Sequence, residues 1–141
     1  MLGRHRYMGA SGAGATMKLV TNTLLGLGIQ ALAEAVALGR KAGLDTTLML
    51  DALGSTSVAS PAQKGKFEDV ARGEFPAAFA LRMMSKDYGL ILQLADSLSV
   101  AMPAVAVAKQ IDTVERARSR GREEDFSAVV RTMQELSGVG V

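Results

Sequence analysis

Lys18 and Asn22 are the first two side chains in the sequence whose chemistry could serve a reaction. They lie in an apolar segment that follows the glycine-punctuated stretch Gly12-Ala13-Gly14. Residues four apart share one face of a helix, so the amine and the amide point the same way. An amine near a helix start suits proton transfer, and an amide can hold a substrate oxygen. The spacing alone nevertheless favours a solvated lysine beside a turn that opens the helix.

A second polar pair, Lys86-Asp87, stands early in another apolar segment. A neighbouring lysine and aspartate on a helix surface are usually solvated, and the sequence alone favours that interpretation. If this helix faces a cleft, Lys86 can meet a phosphate or ribose and Asp87 can orient a nearby lysine. The glycines at 12 and 14 do not make a dinucleotide fingerprint, because that motif requires glycine where Met17 stands and a strand before it.

The composition excludes several classes of function. The chain of 141 residues has 16 basic and 14 acidic residues, a net charge of +2 that is too weak to argue for nucleic acid. It has no cysteine and a single histidine, His5, so neither a disulfide framework nor a thiolate metal site is expected. No apolar run approaches the roughly 18 residues of a membrane span, and the opening residues lack the apolar stretch of a signal peptide. We therefore expect a soluble, cytoplasmic protein with no membrane partner.

The pattern of apolar residues predicts an all-α domain. Hydrophobic residues make up 48% of the chain but aromatics only 4%, so leucine, valine, alanine and methionine must fill the core. A long helix is predicted over residues 15–40, where apolar side chains recur at three-and-four spacing, and we expect close neighbours to cover this helix on all sides. This row consists of Met17, Val20, Leu24, Leu27, Ala31, Ala35 and Leu38.

Capping and breaking residues divide the rest of the chain into shorter helices. Asp45 caps a helix over 46–53, and residues 62–71 form one helix or two short turns before a break at 72–76. Further helices are predicted over 81–98 and 103–120, and Asp125 caps the last one, over 127–136. The arginines at 116, 118, 120 and 122 are followed by acids that cancel their field, so we assign them no role.

Taken together, the motifs are similar in order and spacing to the C-terminal domain of the β-hydroxyacid dehydrogenases over residues 9–137. This family includes 3-hydroxyisobutyrate dehydrogenase, tartronate semialdehyde reductase and the glyoxylate/succinic semialdehyde reductases. The motifs are Gly12-x-Gly14-x-x-x-Lys18-x-x-x-Asn22, Ser60-Pro61, Lys86-Asp87, Pro103 and Asp125-Phe126-Ser127-Ala128.

The resemblance implies a helical domain around a long central helix, like the C-terminal domain of 6-phosphogluconate dehydrogenase, used for dimer or tetramer contacts. It implies NAD or NADP as cofactor, bound mainly by an N-terminal Rossmann domain that this sequence lacks. Residues 1–11 then correspond to a remnant of the inter-domain segment, and 12–141 to the helical substrate and oligomerisation domain. The isolated chain is expected to be inactive.

The resemblance also implies roles for particular residues. Lys18 corresponds to the catalytic lysine that exchanges the proton of the substrate hydroxyl, and Asn22 holds substrate. Gly14 lies in the turn that lets substrate approach, Lys86 touches cofactor, and Asp87 orients the site beside Lys18.

The resemblance extends to the substrate. Phe79 is similar in placement to an aromatic residue that lines the substrate pocket, and Ser60-Pro61 together with the Phe-Pro-x-x-Phe run favours the semialdehyde reductase branch. The substrate is then a small carboxylate. The alternative is a non-catalytic helical oligomerisation module, because the apolar face of a long helix must be covered.

Overall fold

A computed structural model describes residues 12–119 and 123–140, and these residues form a bundle of α-helices. They contain no β-strand, only two isolated bridges that join residues 76 and 80 to residues 124 and 125. The predicted all-α class is therefore confirmed. The inter-domain remnant predicted at residues 1–11, His5 and the arginines at 120 and 122 lie outside the described residues. The helices are α1 Ala13–Lys41, α2 Thr46–Gly54, α3 Pro61–Lys64, α4 Phe67–Arg72, α5 Leu81–Ser97, α6 Pro103–Arg118 and α7 Val129–Leu136, with a 3-10 turn at Phe126–Ala128.

Helix α1 is the centre of the bundle. It is 29 residues long and packs against α2, α3, α5, α6 and α7. Gly12 caps its start with φ +89°, a left-handed conformation that favours glycine, and Arg40 and Lys41 close its last turn. The predicted long central helix is confirmed, with both ends within two residues of the expected positions.

The side of α1 that faces the bundle is not the row of apolar residues seen in the sequence. Val20 is 50% exposed, Leu24 73% and Leu38 74%. The expectation that neighbouring helices cover this row is wrong within the described residues. The buried side carries smaller and more polar residues, among them Asn22, Gly26, Ile29, Gln30, Ala33, Val36 and Ala37. Small residues such as Gly26 and Ala33 allow neighbouring helices to approach this side closely, so it is this side that faces the bundle.

Our expectation that no segment is apolar enough to span a bilayer also needs correction. By length and composition α1 qualifies, because one 18-residue window has a mean hydropathy of 1.4. The same helix supplies Ile29, Leu32 and Val36 to the core that α5, α6 and α7 complete. A central helix of a bundle passes the same test, and we interpret α1 in that way.

The short helices begin and end where capping residues predict. The Asp45 carboxylate accepts a hydrogen bond from the Leu48 backbone amide at 3.0 Å. Ser60 and Gln63 form a reciprocal capping box at the start of α3. Residues 62–71 adopt the second of the two predicted alternatives, two short helices, and Gly73 at φ +67° ends the second of them.

Asp125 holds the loop between α4 and α5 in place. Its fully buried carboxylate accepts hydrogen bonds from the backbone amides of Ala78 and Phe79 at 3.1 and 2.9 Å. It also accepts from the amide and hydroxyl of Ser127 and forms an ion pair with Lys66 at 2.9 Å. Burial acts to raise the pKa of Asp125, but these hydrogen bonds outweigh it and hold the pKa below its ordinary value. Asp125 is a cap as predicted, but it caps the 3-10 turn Phe126–Ala128 that leads into α7 at Val129. The same carboxylate ties together three separate parts of the chain.

Asp112 is a buried carboxyl group in α6 that faces α5. It is 3% exposed, and its Oδ2 atom has no hydrogen-bond partner within the described residues. Burial raises the pKa of Asp112 to about 8, even though Arg116 and Lys109 on the same helix act to lower it. Asp112 in turn adds to the effect of burial in raising the pKa of Tyr88 on α5. In the folded chain Asp112 therefore keeps its proton at neutral pH.

This proton makes stability depend on pH. Between about pH 4 and pH 8 the unfolded chain has lost the Asp112 proton while the folded chain holds it, so stability falls as pH rises through this window. Asp112→Asn mimics the neutral acid and removes this contribution. We expect the variant to match the parent below about pH 4 and to exceed it at pH 8 by up to about 5 kcal/mol, the value for a shift of about four pKa units. Urea unfolding of both chains at the two pH values measures the difference, and an equal pH slope in the variant contradicts the assignment.

Candidate active site

The glycines at the start of α1 form a turn that opens the helix. Gly12 has a left-handed backbone, and the Thr16 hydroxyl donates a hydrogen bond to the Gly12 carbonyl at 3.2 Å. Gly14 is exposed in the first turn, and a Cβ atom added to it meets nothing within 4 Å. No described group therefore approaches Gly14, and the space above it is open to a ligand.

Lys18 stands one turn after Gly14 with its amine unpaired. The side chain is exposed and forms no hydrogen bond or ion pair within the part of the chain that the structure describes. Its position four residues before the buried Asn22 places it on the side of α1 that faces the bundle. The helix start carries that side beyond the buried part of α1, so the amine is accessible and stands one turn before Asn22.

Asn22 and Asp87 form a buried polar pair. The Asn22 Nδ2 atom donates to Asp87 Oδ2 at 2.7 Å, and the two residues are 9% and 5% exposed. This hydrogen bond joins α1 to α5 across 65 residues of sequence. A buried carboxylate requires such a donor, because it is costly to leave unpaired. The surface interpretation of Asp87 is wrong, since the structure buries this residue beside Asn22 and one turn from Lys18.

Lys86 and Phe79 form no hydrogen bond, ion pair or ring contact with this pair within the described residues. Lys86 is exposed on α5, with no hydrogen bond or ion pair among the described residues, so the solvated interpretation applies to it. Phe79 is half-buried in the loop before α5, and its ring packs edge-to-face on Phe126 with 5.5 Å between centroids. No hydrogen bond or ring contact links Phe79 to Lys18, Asn22 or Asp87 in the described part of the chain.

Two residues next to the site have roles that sequence reasoning missed. Tyr88 looked like one more apolar position of α5, and Gly26 looked like a residue that merely weakens α1. The structure places the Tyr88 ring directly against Gly26, one turn after Asn22. The missed signal was the spacing, because Gly26 continues the row of Lys18 and Asn22 at four-residue intervals.

No group of three or more metal-ligating side chains occurs among the described residues.

The Asn22–Asp87 hydrogen bond is testable on the isolated chain. Asn22→Ala leaves a buried carboxyl group without its donor, and we expect it to destabilise the fold by about 2–4 kcal/mol. In a double-mutant cycle with Asp87→Ala, urea unfolding should give a coupling energy of about 1.5–3 kcal/mol. Thr23→Ala is the matched control, because Thr23 bonds only to the Leu19 carbonyl and its effect should add to that of Asp87→Ala. Additivity in both cycles would show that the hydrogen bond contributes nothing.

Known proteins resemble this chain over almost its whole length. Residues 12–133 match the sequence model described as NAD-binding of NADP-dependent 3-hydroxyisobutyrate dehydrogenase. The 2-(hydroxymethyl)glutarate dehydrogenase of Eubacterium barkeri is 39% identical over 136 residues, which cover 96% of this chain and 45% of that protein. Glyoxylate/succinic semialdehyde reductase 1 of Arabidopsis thaliana is 36% identical over 132 residues, with 93% and 45% covered.

Solved structures show the same relationship. The crystal structure of 3-hydroxyisobutyrate dehydrogenase from Salmonella typhimurium superposes with a TM-score of 0.79 at 30% identity, covering 86% of this chain and 42% of that one. The chain thus spans less than half the length of each of these relatives. The sequence matches and the structural match point to the same family, whose cofactor is NAD or NADP. The chain belongs to the 3-hydroxyisobutyrate dehydrogenase family of NAD(P)-dependent oxidoreductases.

Proposed function

We propose that this chain is the helical half of an NAD(P)-dependent oxidoreductase that interconverts a small β-hydroxyacid and its semialdehyde, with Lys18 as proton donor and acceptor. The observation that carries the proposal is an exposed, unpaired amine one turn from the buried Asn22–Asp87 pair. Unpaired amines beside buried polar groups are suited to meet a substrate carboxylate or alkoxide.

The chemistry requires one proton and one hydride. In the oxidation direction the neutral Lys18 amine removes the proton of the substrate hydroxyl, and a bound nicotinamide cofactor would accept the hydride. In reduction the ammonium returns that proton to the carbonyl oxygen. The nicotinamide cofactor supplies the hydride chemistry, and the protein supplies position and proton transfer. Lys18 can exchange its proton with solvent between turnovers because its side chain is exposed.

The neighbouring residues have supporting roles in this proposal. The Asn22 amide gives one N–H to Asp87 and keeps its oxygen and second N–H for a substrate oxygen. The open space above Gly14 admits the substrate, and Lys86 beside Asp87 contacts the cofactor. Phe79, held in place through Asp125, lines the substrate pocket.

We infer the substrate class and the second half of the enzyme from the relatives. The names of two relatives, a 2-(hydroxymethyl)glutarate dehydrogenase and a glyoxylate/succinic semialdehyde reductase, indicate small carboxylates. Because this chain matches 45% of each, we propose that an N-terminal Rossmann domain completes the cofactor site. The isolated chain is then inactive, and the complete enzyme works in the cytoplasm.

Removing the Lys18 amine tests the catalytic assignment. In the full-length enzyme proposed here, Lys18→Ala should lower kcat by about 10²–10⁴-fold, the usual effect of losing a general acid or base. The free energy of unfolding of the variant should stay within about 0.5 kcal/mol of that of the parent, because Lys18 is exposed and unpaired. Lys41→Ala, an exposed lysine at the opposite end of α1, is the matched control and should leave turnover unchanged. More than a few per cent of activity in Lys18→Ala would overturn the assignment.

We also infer that the chain associates with a second copy of itself through the outer face of α1. This face comprises Val20, Leu24, Leu27, Ala31, Ala35 and Leu38, and it extends into a groove of about 470 Å³ against the start of α6, where Val107 is 62% exposed. From Val20 to Leu38 the face is about 27 Å long at 1.5 Å per residue. With α6 beside it, two copies can bury more than about 1,000 Å², the lower limit for a specific interface.

The pattern of the outer face fits a two-fold axis between Leu27 and Gly28. An antiparallel copy would then place Val20 opposite Ala35 and Leu24 opposite Ala31, so that Val20 and Leu24 each meet a small side chain. Lys18 lies on the other side of α1, so association leaves the proposed chemistry free. The same observation supports the alternative function, a non-catalytic oligomerisation module.

A charge in the outer face tests the association. Leu24→Glu should weaken self-association at least tenfold, because the interface would bury an unpaired carboxylate. Since Leu24 is 73% exposed, the fold itself should not change. Leu48→Glu on α2 is the control, because Leu48 is 70% exposed outside this face. Sedimentation equilibrium measures both, and a chain that is monomeric without either substitution contradicts the inference.

A further inference from the structure

Tyr88 occupies a gap in α1 that only glycine leaves open. A Cβ atom added to Gly26 would lie 2.2 Å from Tyr88 Oη and 2.7 Å from both Cε1 and Cζ of the ring. Cβ atoms in proteins essentially never come within 3.0 Å of such atoms. Tyr88 is 2% exposed and its ring is rigid, so the side chain cannot swing aside into solvent. Helix α5 can approach α1 this closely only because residue 26 is glycine.

The other glycines inside α1 do not have this property. A Cβ atom on Gly28 meets nothing nearer than Gln63 Nε2 at 3.6 Å, an ordinary van der Waals contact. A Cβ atom on Gly39 would meet the Met49 sulfur at 2.2 Å, but methionine is a flexible side chain that can move. Gly26 is therefore the position inside α1 where a glycine is required by a rigid neighbour.

This contact lies directly beside the proposed site. Gly26 is four residues after Asn22 on α1, and Tyr88 follows Asp87 on α5. The 2.7 Å hydrogen bond between Asn22 and Asp87 is thus one turn from the ring. A methyl group at residue 26 would push the ring away by at least 0.8 Å, the difference between 2.2 Å and 3.0 Å. A shift of this size in α5 carries the hydrogen bond to the edge of its permitted distance.

We propose that Tyr88, seated against Gly26, is a positioning residue that fixes the spacing of α1 and α5 and thereby holds Asn22 and Asp87 in place beside Lys18. This inference rests on the proposed function, in which Lys18 transfers the proton. Tyr88 touches neither substrate nor proton in this scheme. It acts through the hydrogen-bonded pair that its ring keeps aligned.

Compensating substitutions test the proposal in the full-length enzyme. Gly26→Ala and Tyr88→Leu should each lower kcat about tenfold or more with little change in the KM for the cofactor. The first adds a methyl group between α1 and α5, and the second removes the ring that sets their spacing. The double variant Gly26→Ala/Tyr88→Leu should recover to within about threefold of the parent, because the new methyl fills part of the space that the ring left. Gly28→Ala is the control and should stay within twofold.

A second pair of variants distinguishes the effect of the Tyr88 ring from that of its hydroxyl. Tyr88→Phe keeps the ring and should retain activity, and Gly26→Ala/Tyr88→Phe should stay slow because two ring carbons still lie 2.7 Å from the added Cβ. Full activity in Gly26→Ala or in Tyr88→Leu overturns the proposal. A Gly26→Ala/Tyr88→Leu variant that folds but remains slow also overturns it. If Gly26→Ala fails to fold, Tyr88→Leu and Tyr88→Phe alone still decide between the outcomes.

A readout on this chain separates the proposal from the proposed function. The side-chain amide resonances of Asn22 report its hydrogen bond to Asp87 by NMR. They should move in Gly26→Ala, return in Gly26→Ala/Tyr88→Leu, and stay fixed in Gly28→Ala. If the enzyme shows no dehydrogenase activity but these resonances respond as expected, the proposed function fails and the positioning role stands. If activity is present and the resonances do not respond, the positioning role fails alone.

Discussion

The close approach of α5 to α1 is the constraint on which the rest of the structure depends. Tyr88 fits against α1 because Gly26 carries no side chain, and one turn away the same approach lets Asn22 reach the Asp87 carboxylate at 2.7 Å. A wider separation would leave a buried carboxyl group without a donor. The glycine that weakens α1 as an isolated helix is thus the residue that lets its neighbours cover it.

This arrangement divides α1 into two sides with different tasks. The inner side is small and polar toward its start, and it presents Lys18 where the helix projects beyond the bundle. The outer side holds larger apolar residues such as Leu24 and Leu38, which remain exposed in the single chain. In the proposed function, chemistry and association therefore use opposite sides of one helix. Asp125 fixes the loop before α5 that carries Phe79.

The sequence predicts local features well and long-range ones poorly. The cap at Asp45 and the break near Gly73 follow from nearby residues, and the structure confirms them. The side of α1 that faces inward was predicted wrongly, because apolar residues recur at helical spacing on both sides and only the packing partners decide between them. The contact of Tyr88 with Gly26 joins residues 62 positions apart, and the local pattern shows only that Gly26 continues the row of Lys18 and Asn22. The family resemblance placed Asp87 near Lys18, and the structure shows that its partner is Asn22.

The central claim is that the Lys18 amine transfers the proton, and chemical rescue tests it most directly. Small primary amines of different basicity are added to the Lys18→Ala variant of the full-length enzyme, and turnover is measured against amine concentration. The account predicts that turnover rises with each amine and that the rescued rate follows the basicity of the amine, as for general acid–base catalysis. Equal, unrescued rates with every amine, in a variant that still binds substrate and cofactor, would contradict it.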